Sequence, residues 1–156
     1  MKLDSKDIAL LAKLQIDAQT PTQQLADTLA MSASQIGRRR QRLESEGLIL
    51  RTPARLNAKL LGLDVQAFMQ IQTQSQTEEA HIAVARLVKT RADIVAAWTL
   101  TGEADYLFRV YCRDLPALNR LVQNVLLPHP AIGRVHSQIV MDDIKDDTAL
   151  PLPGAG

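Results

Sequence analysis

One stretch constrains the chain more than any other: Ser32 to Leu48, reading SASQIGRRRQRLESEGL. Ser32 followed three residues later by Gln35 is a reciprocal capping signature, so a helix starts there. At about 100° per residue, Ile36, Leu43 and the neighbourhood of Arg40 share one face of it. Ser34, Gln35, Arg38, Gln41 and Arg42 spread over the opposite side. One face packs against a core; the other is polar and cationic.

Upstream, TPTQQLADTLA (Thr20 to Ala30) predicts a second short helix, with Thr20 as N-cap, Pro21 in the first helical position and Gln23 in the third. Leu25 and Leu29 make its apolar stripe. Two short capped helices joined by a tight Ala30-Met31 turn, the second bearing the cations, form the pattern of a helix-turn-helix whose second helix enters a DNA major groove. Gln35, Arg38 and Arg42 suit base reading, because Arg and Gln make paired hydrogen bonds to guanine and adenine edges. Arg39 and the other arginines equally suit phosphate clamping without reading. A cationic helix face also serves plain solubility, and α-helical spacing alone does not separate these roles.

Charge distribution favours nucleic-acid contact over plain solubility. The net charge is +1, yet residues 1–60 hold ten Lys or Arg against six Asp or Glu, and the remainder hold eight against eleven. The basic half is the nucleic-acid candidate. Before it, residues 4–18 place Ile8, Leu10, Leu11, Leu14 and Ile16 in a broad helical stripe with Asp4 or Ser5 as cap. After it, Gly47 is a natural helix stop. LILRTPARL (Leu48 to Leu56) reads as extended, a wing or linker strand in which Arg51 and Arg55 are available to phosphates.

From Leu63 the period changes from helical to two. Val65, Ala67, Met69 and Ile71 alternate with Gln66, Phe68, Gln70 and Gln72, as in a strand. Thr77, Glu78 and Glu79 start a helix of about thirteen residues carrying Ile82, Ala85, Leu87 and Val88. Two strands follow, Ile94 to Leu100 and Tyr106 to Cys112, joined by Thr101-Gly102-Glu103-Ala104-Asp105. Asp114 caps a helix with a stripe of Leu118, Leu121, Val122, Val125 and Leu126, which Pro128 and Pro130 stop; Val135 to Met141 is the last strand. Strand, helix, strand, strand, helix, strand is a ferredoxin-like sandwich with helices on one sheet face. Either parity of the strands suits the helix-covered side; Phe68, Trp98, Leu100 and Ile139 include candidates for the uncovered face, and an apolar face of that size predicts at least a dimer.

The chain is therefore expected to be α+β: an N-terminal three-helix, winged helix-turn-helix domain over 1–50, a strand linker or hinge over 51–62, a βαββαβ domain over 63–145, and a flexible tail over 146–156. With 46% apolar but only 3% aromatic residues, aliphatic side chains must fill both cores. No apolar run is long enough to span a membrane, and the amino terminus is unlike a secretory signal, so a cytoplasmic location is expected. Cys112, the one cysteine, sits in an apolar run and reads as buried and inert.

Five pieces in order, LDSKDIALLAKLQ, LADTLAMSASQIGRRRQRLESEGLI, LNAKLLGLDVQAFMQI, TGEADYLFRV and VHSQIVMDDIK, resemble the Lrp/AsnC, or feast/famine, regulators over nearly the whole chain. The resemblance implies a non-enzymatic transcription regulator with double-stranded DNA as partner and no cofactor or metal. It implies Ser34, Gln35, Arg38, Arg39 and Arg42 as the DNA-contacting set. It also implies sheet-mediated dimers, with octamers as a further assembly, and an amino acid or similar effector between subunits. Carried onto this chain, the effector residues are Leu100, Thr101, Gly102, Asp105, Val135 and Ser137. Gly102 would let backbone approach the ligand, and Asp105 would hold its ammonium group.

Three departures from the family pattern stand out. Arg40 takes a usually apolar position, where its stem is expected to bury and its head to snorkel. Ala30 replaces the usual turn glycine, which predicts strain. Val135 lacks the hydroxyl that many members carry, beside His136 and Ser137. Two rival readings are a sirohaem-decarboxylase-like tetrapyrrole enzyme, which shares both domains but usually has an arginine pair absent from LNAKLLG, and an architectural protein that binds DNA without sequence preference.

Overall fold

In the computed structural model, which describes residues 2–50, 52–145 and 149–153, the chain divides into two units. One joins Met1–Arg55 with Ile144–Gly156; the other is Leu56–Asp143.

The first unit is helical. Helix α1, Ser5–Ile16, opens on a reciprocal capping box: the Asp4 carboxylate accepts from the Asp7 amide at 2.8 Å, and the Asp7 carboxylate accepts from the Asp4 amide at 3.1 Å. Leu10, Leu11 and Leu14 are buried. Ile16, expected in their stripe, is 81% exposed because it is the last helical residue, before the extended Asp17. Helix α2 is Thr22–Leu29, and its N-cap is Pro21 rather than Thr20. The Thr20 hydroxyl is drawn back instead to the Asp17 carbonyl and carboxylate, both at 3.0 Å, which leaves α2 without a side-chain cap. Ala30 then takes the left-handed conformation, φ 49° and ψ 51°, and is alone among the described non-glycine residues in having a positive φ.

Helix α3, Ala33–Ser45, has the expected Ser32/Gln35 box. It ends in a Schellman turn, with Gly47 N–H donating to the Glu44 carbonyl, Leu48 N–H to the Leu43 carbonyl, and Gly47 at φ +76°. Ile36 and Leu43 join Leu25, Ala26, Met31 and the α1 leucines in one core. Each buried Leu, Ile or Met side chain among them contributes roughly 1.5–3 kcal/mol. Arg40 is half-buried, and its Nε donates to Glu44 Oε1 at 3.0 Å, one turn on.

Two expectations for this unit fail. No described residue of 48–56 lies in a strand, so the described residues of this stretch form no wing. Pro53 has no N–H to donate to a ladder, and the strands of the sheet all lie within residues 65–139. Nor are residues 149–153 a loose tail: Leu150 N–H donates to Gln15 Oε1 at 2.6 Å, Gln15 Nε2 donates to the Leu150 carbonyl at 3.3 Å, and Leu152 packs on the helical core. Arg51 and the remainder of the expected tail, 146–148 and 154–156, lie outside the described residues.

The second unit begins with a single 3₁₀ turn, Lys59–Leu61, where a strand-like linker was expected. Asn57 Oδ1 accepts from the Leu60 amide, and the turn ends at Gly62 with φ +73°. Then come β1 (Val65–Thr73), α4 (Glu78–Thr90), β2 (Ile94–Thr99), β3 (Tyr106–Cys112), α5 (Leu115–Leu121, widening into a π turn at Val122–Leu126) and β4 (Ile132–Ile139). The four strands make an antiparallel sheet in the order β2-β3-β1-β4, the split βαβ arrangement. Strand β4 starts three residues before the expected Val135 and ends two before Met141.

Val65, Ala67, Met69 and Ile71 of β1 and Tyr106, Phe108, Val110 and Cys112 of β3 pack with Ala80 and Val84 of α4 and Leu118 and Leu121 of α5. Ile82 and Ala85, expected in the α4 stripe, are exposed; the inward face is Ala80, Ala83, Val84, Leu87 and Val88. Burial of Cys112 pushes its thiol up, and Asp93 and Asp114 add to the effect. On the other face Phe68 is half-buried, and Trp98 and Leu100 are exposed. Ile139 does not join them: it lies opposite Ala67, and residues directly opposite in a sheet share a face.

Candidate functional site

The first site is the outer side of α3. The phase fixed by Ile36 and Leu43 turns Ser34, Arg38 and Gln41 to solvent, and Gln35, Arg38, Arg39 and Arg42 border one shallow surface hollow of about 300 Å³. Arg38 has no hydrogen-bond or ion-pair partner among the described residues. The other expected DNA-contacting residues, Ser34, Gln35, Arg39 and Arg42, are engaged. Gln35 Oε1 accepts from the Ser32 amide at 3.0 Å, and Ser34 Oγ lies 3.1 Å from Ser32 Oγ.

Arg39 and Arg42 are held by a residue the helical pattern did not single out. Asp7 is fully buried, with 0% of its surface exposed. Arg39 Nη1 lies 2.6 Å from Asp7 Oδ1 and also donates to both Asp4 oxygens, at 2.7 and 2.9 Å. Arg42 Nη2 lies 2.5 Å from Asp7 Oδ2. Burial pushes the Asp7 carboxyl up, but the Asp4 amide and the two guanidinium groups together outweigh it, so the acid sits below its ordinary value. The Asp4 carboxyl is lowered by the Asp7 amide and then by Arg39. The same contacts raise Arg39. The signal was present in the sequence: two aspartates three apart at a helix start, with a surplus of arginines one turn apart on a nearby helix.

The second site is a hollow of about 220 Å³ on the open sheet face, lined by Gln70, Gln72, Glu103, Ala104, Arg134 and His136. Strand register builds it: His136 lies opposite Gln70 and Arg134 opposite Gln72, while the Gln72 amide donates to the Glu103 carbonyl at 2.9 Å and ties the β2–β3 loop over β1. The hollow therefore carries an acid, a guanidinium and an imidazole together.

The expected effector residues stand apart from this lining. Val135 and Ser137 lie opposite Ile71 and Met69, on the helix-covered face, so within one chain they do not share a pocket with the loop. Strand β4 is one residue out of phase with that expectation, which puts Arg134 and His136 on the open face instead. Thr101 and Gly102, at φ +109°, are exposed at the loop tip, and Leu100 is partly exposed beside them. Asp105 is occupied. Its Oδ2 accepts from the Thr73 amide and hydroxyl, both at 2.7 Å, and these bonds hold its carboxyl below the ordinary value. Next to it, the Tyr106 hydroxyl hydrogen-bonds with His81 Nδ1.

Among the described residues, no group of three or more His, Cys, Asp or Glu could hold a metal, and no helix is long and apolar enough to cross a membrane.

Comparison with known proteins agrees with both halves. The AsnC-type helix-turn-helix domain matches residues 3–44, and the Lrp/AsnC ligand binding domain matches residues 66–150. The DNA-binding transcriptional activator DecR of Escherichia coli is 31% identical over 150 residues, 96% of this chain and 99% of that protein. The leucine-responsive regulatory protein of Rhizobium meliloti is 28% identical over 146 residues, 94% of each. Among solved structures, a Neisseria meningitidis transcriptional regulator in complex with L-Met superposes with a TM-score of 0.93 at 30% identity, covering 97% of this chain and 98% of that one. E. coli AsnC superposes at 0.86 with 25% identity, covering 95% and 98%. A capped helix-turn-helix with a cationic outer face, followed by a split βαβ sheet with a polar hollow, thus has its relatives among proteins of one kind, and the chain belongs to the Lrp/AsnC family of transcription regulators.

Proposed function

We propose that this regulator reads double-stranded DNA with the outer face of α3 and is tuned by a zwitterionic amino acid bound over the open sheet face. The observation that carries the effector half is the pairing of opposite charges in one hollow, Glu103 with Arg134, beside His136. An α-ammonium suits the carboxylate and an α-carboxylate suits the guanidinium, whose forked donors match it in geometry. The relative bound to L-Met supports an amino acid as the class. Thr101, Gly102 and Leu100 form the rim that a second subunit would close, and Val135 and Ser137 would contribute only from another copy or through the strand edge.

Self-association follows from the same face. Trp98, 46% exposed, together with Phe68 and Leu100, presents an apolar surface that water penalises. A dimer is the proposed minimum, with octamers as the further assembly. Names of relatives describe regulators, and a hollow offering binding groups favours sensing over catalysis.

An amino-acid panel titrated calorimetrically into the protein tests this reading. One or a few amino acids are expected to bind, and Arg134→Ala or Glu103→Gln should weaken them at least tenfold, while sedimentation reports dimers or larger species. Binding unchanged in both variants, or a monomer at micromolar concentration, would refute it.

A further inference from the structure

The four arginines of α3 are not equivalent, and the difference originates in α1. Arg39 and Arg42 reach back from the edge of the packed face to a carboxylate with no solvent exposure, and each is caught by a different oxygen of it, at 2.6 and 2.5 Å. Asp7 is fixed in turn, because the Asp4 amide donates to its Oδ2 at 3.1 Å and the Asp7 amide donates to Asp4. Arg40 is spent on Glu44. Two acids and two bases make the Asp4–Asp7–Arg39–Arg42 cluster neutral in sum, so the unopposed cation on the outer face is Arg38.

From this geometry we infer that Asp7 is a positioning residue of the DNA-reading head: it pins Arg39 and Arg42 so that their remaining N–H groups serve only phosphates at the groove edge, and it leaves base reading to Arg38. Two rigid phosphate clamps set the depth and angle at which α3 enters the groove, and Arg38 can discriminate bases only if that docking is fixed. A guanidinium freed from Asp7 would be a mobile cation. It would take any phosphate within reach, which strengthens binding to every sequence and blurs the register. Asp7 thus trades affinity for selectivity by neutralising charge that would otherwise attract DNA without reading it.

The inference rests on α3 being the reading helix, and the experiment separates the two. A duplex is selected from a random pool by the wild-type protein, and affinity for it and for random duplex is measured over a range of salt. Wild type, Asp7→Asn, Arg38→Ala and Arg42→Gln are compared at a temperature where each is shown by circular dichroism to be folded. Asp7→Asn is expected to bind random DNA more tightly, with a salt slope steeper by about one or two per protomer, and to lose at least tenfold in its preference for the selected duplex. A merely structural Asp7 would weaken both duplexes in parallel and leave the ratio alone, which would overturn the inference. Arg42→Gln leaves Arg39 on Asp7, and it covers the case in which Asp7→Asn does not fold. It should weaken binding to both duplexes, flatten the slope by about one and lose only part of the preference, whereas Arg38→Ala should abolish the preference. Loss of preference in Arg42→Gln as complete as in Arg38→Ala would also overturn the inference. If wild type itself fails to discriminate, the assignment of α3 as the reading helix falls instead.

Discussion

Asp105 and Thr73 are joined twice through one oxygen: Asp105 Oδ2 accepts from the Thr73 amide and from the Thr73 hydroxyl, each at 2.7 Å. The pair fastens the end of the β2–β3 loop to the end of β1, and the Asp105 amide donates to the Ile71 carbonyl beside it. A carboxylate so occupied is an anchor for the hollow's wall more than a free acceptor for a ligand. Asp105→Asn should therefore cost stability, about 1–3 kcal/mol for weakening hydrogen bonds to a charged group, read as a lower urea midpoint. Amino-acid affinity in the folded variant should stay within a few-fold of wild type. Lost affinity with unchanged stability would return Asp105 to the role of ammonium holder.

Ala30 holds a left-handed conformation, which costs an L residue roughly 1–2 kcal/mol, and glycine adopts it freely. Against this stands the greater freedom of glycine in the unfolded chain, about 0.4–1 kcal/mol. Ala30→Gly should on balance stabilise the protein by about 0.5–1 kcal/mol. A lower melting midpoint would show that the Ala30 methyl makes packing contacts worth more than the strain.

Acid should act on the reading head through Asp7. A group whose folded pKa lies below its unfolded one contributes stability above the unfolded value and loses it as pH falls through the folded value. The unfolded value is near 4. The stability gap between wild type and Asp7→Asn should thus be flat from about pH 8 to pH 5 and shrink below about pH 4. Denaturant titrations across that range check it, and a gap that persists undiminished at the acid end would mean the carboxylate's charge is not what holds α3 to α1.

Cys112 is 4% exposed, and its thiol is pushed up by burial. A thiol-specific reagent at neutral pH should react only as fast as the second unit opens, and completely in denaturant. Rapid labelling of the native protein would contradict the burial.

Helix starts were the most readable features, because Ser32, Asp4, Thr77 and Asp114 are small polar residues whose caps are local. Thr20 misled for the same local reason: it had a competing acceptor in Asp17 that spacing does not weigh. The alternation in β1 separated two sets of residues but did not say which set meets the helices; only the packing of Val65, Ala67, Met69 and Ile71 against α4 and α5 decides it. Strand β4 is an edge strand with exposed residues on both faces, so nothing in its composition fixed the phase, and Val135 and Ser137 lie off the open-face hollow that Arg134 and His136 line. The Asp7 cluster spans more than thirty positions, a separation that no periodicity reports.

The contact of Leu150 with Gln15 makes the reading head discontinuous along the chain, begun by α1 to α3 and finished by residues that follow the sheet. On a ribosome, where amino-terminal segments emerge first, the three helices wait. The last apolar side chain of their core, Leu152, is synthesised only after the whole sensing unit has been made, so a nascent head spends the translation time of some ninety residues with its α1 flank uncovered.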